Sequence, residues 1–320
     1  MVGITEVARI LPRARQIFRR LIDEVERRGT KDAILIDFPD FNLRLAKALN
    51  QRNVRVLYYI SPQVWAWRRG RVRSIARLVD RMLVILPFEV DFYRNHAIEA
   101  VHVGHPLVDE VPELEQRWKA VNDPVGPIDI ALLPGSRRSE IAANLPVMLS
   151  AGELLSKRHD CRFRLIQAGT VDDSALEGPL ADSTLNVEIV KNDRFKSVAD
   201  CHLAICASGT ATLEVGLLGT PMIVVYKVSF WSYLLGKALV RLPHIALVNL
   251  VLGERVVPEL IQHEATPGGI ADAASAILRD RDRIQAMRDK LGGLRARLGE
   301  KGASRRAAEE ILLELEGERV

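Results

Sequence analysis

Residues 202–226 read His202-Leu-Ala-Ile-Cys-Ala-Ser-Gly-Thr-Ala-Thr-Leu-Glu-Val-Gly-Leu-Leu-Gly-Thr-Pro-Met-Ile-Val-Val-Tyr226. An apolar run from Leu203 to Ala207 breaks at Ser208-Gly209-Thr210. A helical pattern then passes through Leu213 and Leu217, stops at Gly219, and gives way to the β-branched run Ile223-Val224-Val225. The order is strand, turn, helix, strand. In such a unit the turn lies at the carboxyl end of a parallel strand. The helix after it offers unpaired N–H groups and a positive dipole end, which suits a phosphate or diphosphate. Glu214, about one turn into the helix, is placed to accept both hydrogens of a ribose diol. The plainer reading is an ordinary α/β turn with Glu214 as a solvated first-turn acid.

The same alternation extends in both directions. Strands are expected at 33–37, 54–60, 82–86 and 101–103, with helices at 42–51, 74–79 and 89–95 between them. A second run places strands at 128–133, 163–167, 187–190, 203–207 and 222–226. Pro146, expected in a first turn, puts the helix after strand 128–133 at about Asn144, behind a long loop. After Asn249, helices are expected at 257–262, 267–278, 283–298 and 303–315, with breaks marked by Gly292-Gly293 and Gly299. The rhythm implies an α/β protein with two Rossmann-like, doubly wound domains facing a cleft. The expected division is residues 1–110, a polar linker with three prolines and a glycine at 111–127, a second domain at 128–282, and terminal helices at 283–320. At the start, Val7, Ile10, Leu11, Ala14, Ile17, Phe18, Leu21, Ile22 and Val25 recur at helical spacing up to Gly29. The chain therefore opens on an amphipathic helix with no strand before it. Interspersed acids make that segment a poor signal peptide.

Composition narrows the classes of function. With 320 residues and 48% hydrophobic content the chain can bury two cores. No apolar run approaches the roughly 20 residues that span a bilayer. The three cysteines, Cys161, Cys201 and Cys206, lie in or beside expected strands and lack zinc spacing, which fits reduced packing residues. A net charge of +4 and a pI near 9.0 suit anionic ligands or an anionic membrane surface without selecting one.

Loops at the carboxyl ends of the strands carry the usable chemistry. In Asp37-Phe38-Pro39-Asp40-Phe41-Asn42, proline stiffens the turn, Asn42 can cap the next helix, and Asp37 or Asp40 can take a proton from an attacking hydroxyl. In Leu132-Leu133-Pro134-Gly135-Ser136-Arg137, glycine lets the backbone approach a ligand, Ser136 follows it, and Arg137 offers a planar fork to phosphate oxygens. The third loop is the Ser208-Gly209-Thr210 turn. Together they suggest a base on one domain and a nucleotide-diphosphate clamp on the other. No histidine cluster announces a metal, and no cofactor is expected.

Further motifs carry a resemblance. The segments Ile36 to Asn42, Tyr59-Ile-Ser-Pro-Gln-Val-Trp65-Ala-Trp67-Arg68, Leu86-Pro-Phe-Glu89, Val103-Gly-His-Pro106, Leu132 to Arg137 and Ala207 to Glu214, in that order along nearly the whole chain, resemble the signatures of lipid-A-disaccharide synthase. That family consists of GT-B-type inverting glycosyltransferases. The resemblance implies transfer from UDP-2,3-diacylglucosamine to the 6-hydroxyl of 2,3-diacylglucosamine 1-phosphate, giving a β-1,6 disaccharide and UDP. It assigns the base to Asp37, the donor diphosphate to Arg137, the UDP turn to Ser208 through Glu214, and a position bordering the donor to Asn249. It also implies a cytoplasmic enzyme, peripheral on the inner membrane, whose terminal helices can be exchanged in a homodimer.

Family members begin with a strand and a Gly-Glu-x-Ser-Gly-Asp turn, and this chain starts after it. An upstream βα portion is thus expected to be missing, and the 320-residue form to be poorly soluble or weakly active. The stretch 230–241, with Trp231 and Tyr233 at one end and Lys237 and Arg241 at the other, suits a helix in a lipid interface or one covering the sheet. The basic run after Trp65 superficially resembles a nucleic-acid patch, but with no nucleic-acid fold recognised no such partner is expected. The rival activities are a UDP-N-acetylglucosamine 2-epimerase-like reaction on the same fold and a membrane-associated scaffold with an impaired site.

Overall fold

The computed structural model describes residues 4–65, 69–113, 126–227 and 243–316. It resolves into two compact units, Met1–Pro106 with Gly299–Val320, and Leu107–Leu298.

The first unit holds a four-stranded sheet of β1 (Asp32–Ile36), β2 (Arg55–Tyr59), β3 (Arg81–Val84) and β4 (Ala100–His102), in the order β1-β2-β3-β4. Every pairing is parallel. Because side chains alternate along a strand, Val56 and Tyr58 enter one core with Leu45, Leu49 and Met82, while Tyr59 and Leu83 enter another with Ala307 and Ile311. The second core is capped by the helix Ala303–Glu316 from the far end of the chain. Burial on both faces explains why Val56-Leu-Tyr-Tyr59 is apolar without alternation. The terminal segment is also tied down by polar contacts. Arg306 Nε donates to the Val103 carbonyl at 2.9 Å, and Arg81 Nε lies 3.1 Å from a Glu314 oxygen.

The second unit is a six-stranded parallel sheet built from β5 (Ile128–Leu133), β6 (Cys161–Ile166), β7 (Val187–Val190), β8 (Leu203–Ala207), β9 (Met222–Tyr226) and β10 (Glu259–Ile261), in the order β10-β9-β8-β5-β6-β7. The chain starts in the middle at β5, runs outward through β6 and β7, then returns to build β8, β9 and β10 on the other side. The direction of winding therefore reverses between β5 and β8, and ligands of doubly wound sheets bind at such a point. All five residues of β8 are buried.

Several expectations need correction. The helix after β5 begins at Arg138, not near Asn144, and runs to Ser156 with Pro146 inside it. Proline withholds one amide from the carbonyl of Ala142, but buried Ile141, Leu145, Met148 and Leu149 carry the helix through. Residues 257–262 contain β10, not a helix, because Glu259–Ile261 pairs in parallel with Val224–Tyr226. The charged stretch 283–298 is two helices, Arg281–Gly292 and Leu294–Leu298, divided at the break expected at Gly292-Gly293. Residues 107–110 and 283–298 group with the second unit, and the return to the first unit starts at Gly299. Most of the expected linker, 114–125, lies outside the described residues, as do Trp231, Tyr233, Lys237 and Arg241. The three cysteines are free thiols. No helix among the described residues is long and apolar enough to cross a membrane.

Candidate active site

In the second unit, the two loops flanking the reversal of winding are those that follow β5 and β8. Gly135 has φ +123°, and a Cβ on it would stand 2.7 Å from Cβ of Glu140, so only glycine lets the turn close. Glu140 reaches back to accept the amide of Ser136 at 3.0 Å and Nη1 of Arg137 at 2.8 Å. Glu140, in the first turn, thus ties the loop back onto the helix that starts at Arg138. Thr170 Oγ1 donates to the Ser136 carbonyl at 3.1 Å, and Asn144 Nδ2 to that of Pro134 at 3.2 Å. Arg137 itself is 78% exposed, so its guanidinium can turn to an incoming anion.

After β8, the Ser208 amide donates to Val225 and its hydroxyl to the Ile245 carbonyl at 3.3 Å. Gly209 has φ +155°, and a Cβ there would meet nothing within 4 Å, leaving open space above the turn. Thr210 is exposed. Glu214 is 18% exposed, with Oε1 3.6 Å from Nη2 of Arg194. Burial raises its pKa, with Glu110 adding to the shift and Arg194 opposing it.

Asn249 requires a correction. Its side chain is fully buried. Its Nδ2 donates to the Val257 carbonyl and to Glu259 Oε1, and its Oδ1 accepts the amides of Val256 and Val257. All four hydrogen-bonding capacities are thus used within the protein. Asn249 braces Glu259, whose oxygens accept the amides of Ile245 and Ala246 at 3.0 Å and so cap the helix Leu247–Leu252.

In the first unit, Asp37 follows β1 directly with φ +47°, and Phe38 has φ +46°. Two successive non-glycine residues in the left-handed region store strain that the surroundings must hold. The Asp37 carbonyl accepts from the Tyr58 hydroxyl at 2.6 Å and from Asn42 Nδ2 at 2.8 Å. Asn42 also donates to the Ile36 carbonyl, so its amide is turned inward. It neither caps the helix, which starts at Pro39 behind Phe38, nor projects to an acceptor. Asp40 is exposed and paired with Arg71 Nη1 at 3.0 Å. Asp37 is exposed, and its carboxylate makes no hydrogen bond among the described residues. Desolvation raises the Tyr58 pKa, with the Asp37 charge adding to it.

Sequence reasoning missed the polar groups that hold these loops: Glu140, Arg194, Tyr58, Glu259 and, beneath the loop after β2, the buried Glu89. An acid following Ser136 at a four-residue interval, and Glu89 closing the Leu86-Pro-Phe-Glu motif, were the available signals. Among the described residues no cluster of three histidine, cysteine or acidic side chains is placed to hold a metal ion.

The sequence model of a known family, lipid-A-disaccharide synthetase, matches residues 1–314. This chain belongs to that family. A lipid-A-disaccharide synthase of Syntrophus aciditrophicus (strain SB) is 44% identical over 315 residues, covering 96% of this chain and 82% of the relative. Family membership makes the chain a glycosyltransferase of lipid A biosynthesis. Solved structures share its fold. An S. aureus MnaA-UDP co-structure superposes with a TM-score of 0.65 at 11% identity, covering 96% of this chain and 82% of that one. The crystal structure of Acinetobacter baumannii MurG gives 0.55 at 13% identity, covering 90% and 75%. At such identities the likeness carries the GT-B fold alone. These solved structures thus share architecture with this lipid-A-disaccharide synthetase family member, while the match in sequence is to the synthases.

Proposed function

We propose that this chain transfers the 2,3-diacylglucosaminyl group of UDP-2,3-diacylglucosamine to the 6-hydroxyl of 2,3-diacylglucosamine 1-phosphate, forming the β-1,6-linked disaccharide 1-phosphate and UDP. The observation that carries the reading is the family match over residues 1–314. Asp37 takes the hydroxyl proton as the acceptor oxygen attacks the anomeric carbon through an oxocarbenium-like transition state. The bond to the UDP oxygen breaks with inversion. Asp37 is preferred to Asp40 because Arg71 already holds Asp40. The Arg137 fork and the amides of Gly209 and Thr210 stabilise the charge that develops on departing UDP. Glu214 accepts the ribose hydroxyls, and Gly135 with Ser136 lets the main chain approach the diphosphate.

Both sugars carry acyl chains, so the reaction belongs at a lipid surface, with the chain peripheral on the cytoplasmic face of the inner membrane. Trp231, Tyr233, Lys237 and Arg241 are the proposed contacts there, and a homodimer is the proposed assembly. No nucleic acid takes part. The test is UDP release by the purified chain from the acylated UDP-sugar, with and without the acylated sugar phosphate. Release that requires the acceptor supports transfer. Isomerised sugar without acceptor, or no reaction with either, overturns it.

A further inference from the structure

We propose that Glu89 is a positioning residue, and that Gln63, the exposed side chain of the loop Glu89 holds, contacts the acceptor sugar. The inference rests on the transfer reaction proposed above and adds two residues to its acceptor side. Glu89 is 1% exposed, and the partners of its carboxylate among the described residues include no lysine or arginine. Its Oε1 accepts from Ser61 Oγ at 2.6 Å and from Trp65 Nε1 at 2.8 Å, and its Oε2 accepts the Leu86 amide at 3.1 Å. The preceding residue completes the grip, since the Phe88 and Trp65 rings meet edge to face with centroids 4.8 Å apart. One turn further on, the Tyr93 hydroxyl donates to the Pro62 carbonyl at 2.7 Å. Two stretches more than twenty residues apart in sequence, Ser61–Trp65 and Leu86–Tyr93, are thus clamped around one carboxylate.

A buried acid without a cation is a costly way to pin a turn. What it supplies is an acceptor for three donors in fixed directions. The loop it pins leaves β2 through Ile60 at φ +62°, a conformation a β-branched residue holds only when its surroundings over-determine it. Within 61–65, Ser61, Pro62, Val64 and Trp65 are buried, and Gln63 alone is exposed. This loop lies on the same edge of the sheet as Asp37, whose amide donates to Tyr59 on β2. An amide offered there has both donors and an acceptor for sugar hydroxyls.

Binding by the full chain of a short-chain 2,3-diacylglucosamine 1-phosphate in detergent micelles, and separately of UDP, tests the inference. Gln63→Ala and Glu89→Gln should each weaken the acceptor about tenfold and leave UDP unchanged, the loss expected for one charge-assisted or substrate hydrogen bond. The double variant should bind no more weakly than the worse single one, because a displaced Gln63 has no contact left to lose. Ser61→Ala, which keeps the acid, should give a smaller loss in the same direction and serves if Glu89→Gln does not fold. Unchanged acceptor binding in Gln63→Ala, losses that add in the double variant, or equal weakening of acceptor and UDP overturns the inference. A chain that binds both ligands and responds to these variants but releases no UDP refutes the proposed reaction and leaves the Glu89 clamp standing.

Discussion

The Tyr58 hydroxyl donates to the main-chain oxygen of Asp37 at 2.6 Å from the neighbouring strand. Together with Asn42 it holds Asp37 at φ +47°, so the aim of the proposed base depends on groups that never touch substrate. Tyr58→Phe should lower unfolding stability by about 1 kcal/mol. It should also reduce kcat while leaving the KM for the UDP-sugar unchanged, as read by denaturant titration and steady-state kinetics. Lost stability at full kcat would separate the backbone hold from the chemistry.

Arg137 is exposed and, among the described residues, bonded only locally, to Glu140. Its removal should therefore cost little in folding, within about 0.5 kcal/mol. If it stabilises departing UDP, Arg137→Ala should lower kcat by on the order of 100-fold or more. Thermal melting beside turnover measures both, and a variant that melts early instead of losing rate would make Arg137 a structural residue.

Asn249→Ala should behave in the opposite way. Glu259 and the amides of Val256 and Val257 would lose buried partners. A stability loss of about 2–3 kcal/mol is expected, with UDP affinity retained. Loss of UDP binding in a well-folded variant would return Asn249 to the donor site.

Burial pushes the Glu89 carboxyl up from 4.5 to about 7, against the hydrogen bonds from Ser61 and Trp65 that favour its charged form. Among the described residues, Tyr93 is the other titratable group beside it. An acid with a raised folded pKa binds its proton more tightly in the native state. Its contribution is therefore complete below pH 4.5 and lost as pH rises through about 7. Between those limits the unfolding free energy should fall by about 3 kcal/mol relative to Glu89→Gln. Denaturant titrations of both proteins across that range check it, and parallel curves would contradict it.

Much of the architecture was legible because buried parallel strands are written as short β-branched runs closed by Gly or Pro. Ile128–Leu133 before Pro134 and Met222–Tyr226 after Pro221 are such runs, Leu203–Ala207 is an apolar run before Ser208-Gly209, Val187-Glu-Ile-Val190 is a short β-branched stretch, and each is a strand at those limits. Where two local signals competed, the reading failed. Pro146 looked like a first-turn residue, whereas the burial of Ile141, Leu145 and Met148 prolongs the helix on both sides of it. The stretch 257–262 shows no strand pattern of its own, and β10 forms because β9 offers a free edge to pair with.

The chemistry-bearing loops were visible from residue type, but not what holds them. The bonds Tyr58 to Asp37, Trp65 to Glu89 and Asn249 to Glu259 join positions 21, 24 and 10 residues apart, and no local pattern predicts such pairings. For the same reason Asn42 and Asn249 looked like ligand contacts. An isolated asparagine in sequence does not reveal whether its amide faces a ligand or backbone carbonyls.

Acceptor-dependent UDP release by Asp37→Asn, measured beside UDP binding by the same protein, tests the central claim most directly. The change removes the base while keeping the shape of the turn. The account predicts that UDP binding stays at the level of the unaltered chain while release falls by at least about 100-fold, the contribution of a positioned general base. Asp37→Asn turning over at the rate of the unaltered chain would contradict it.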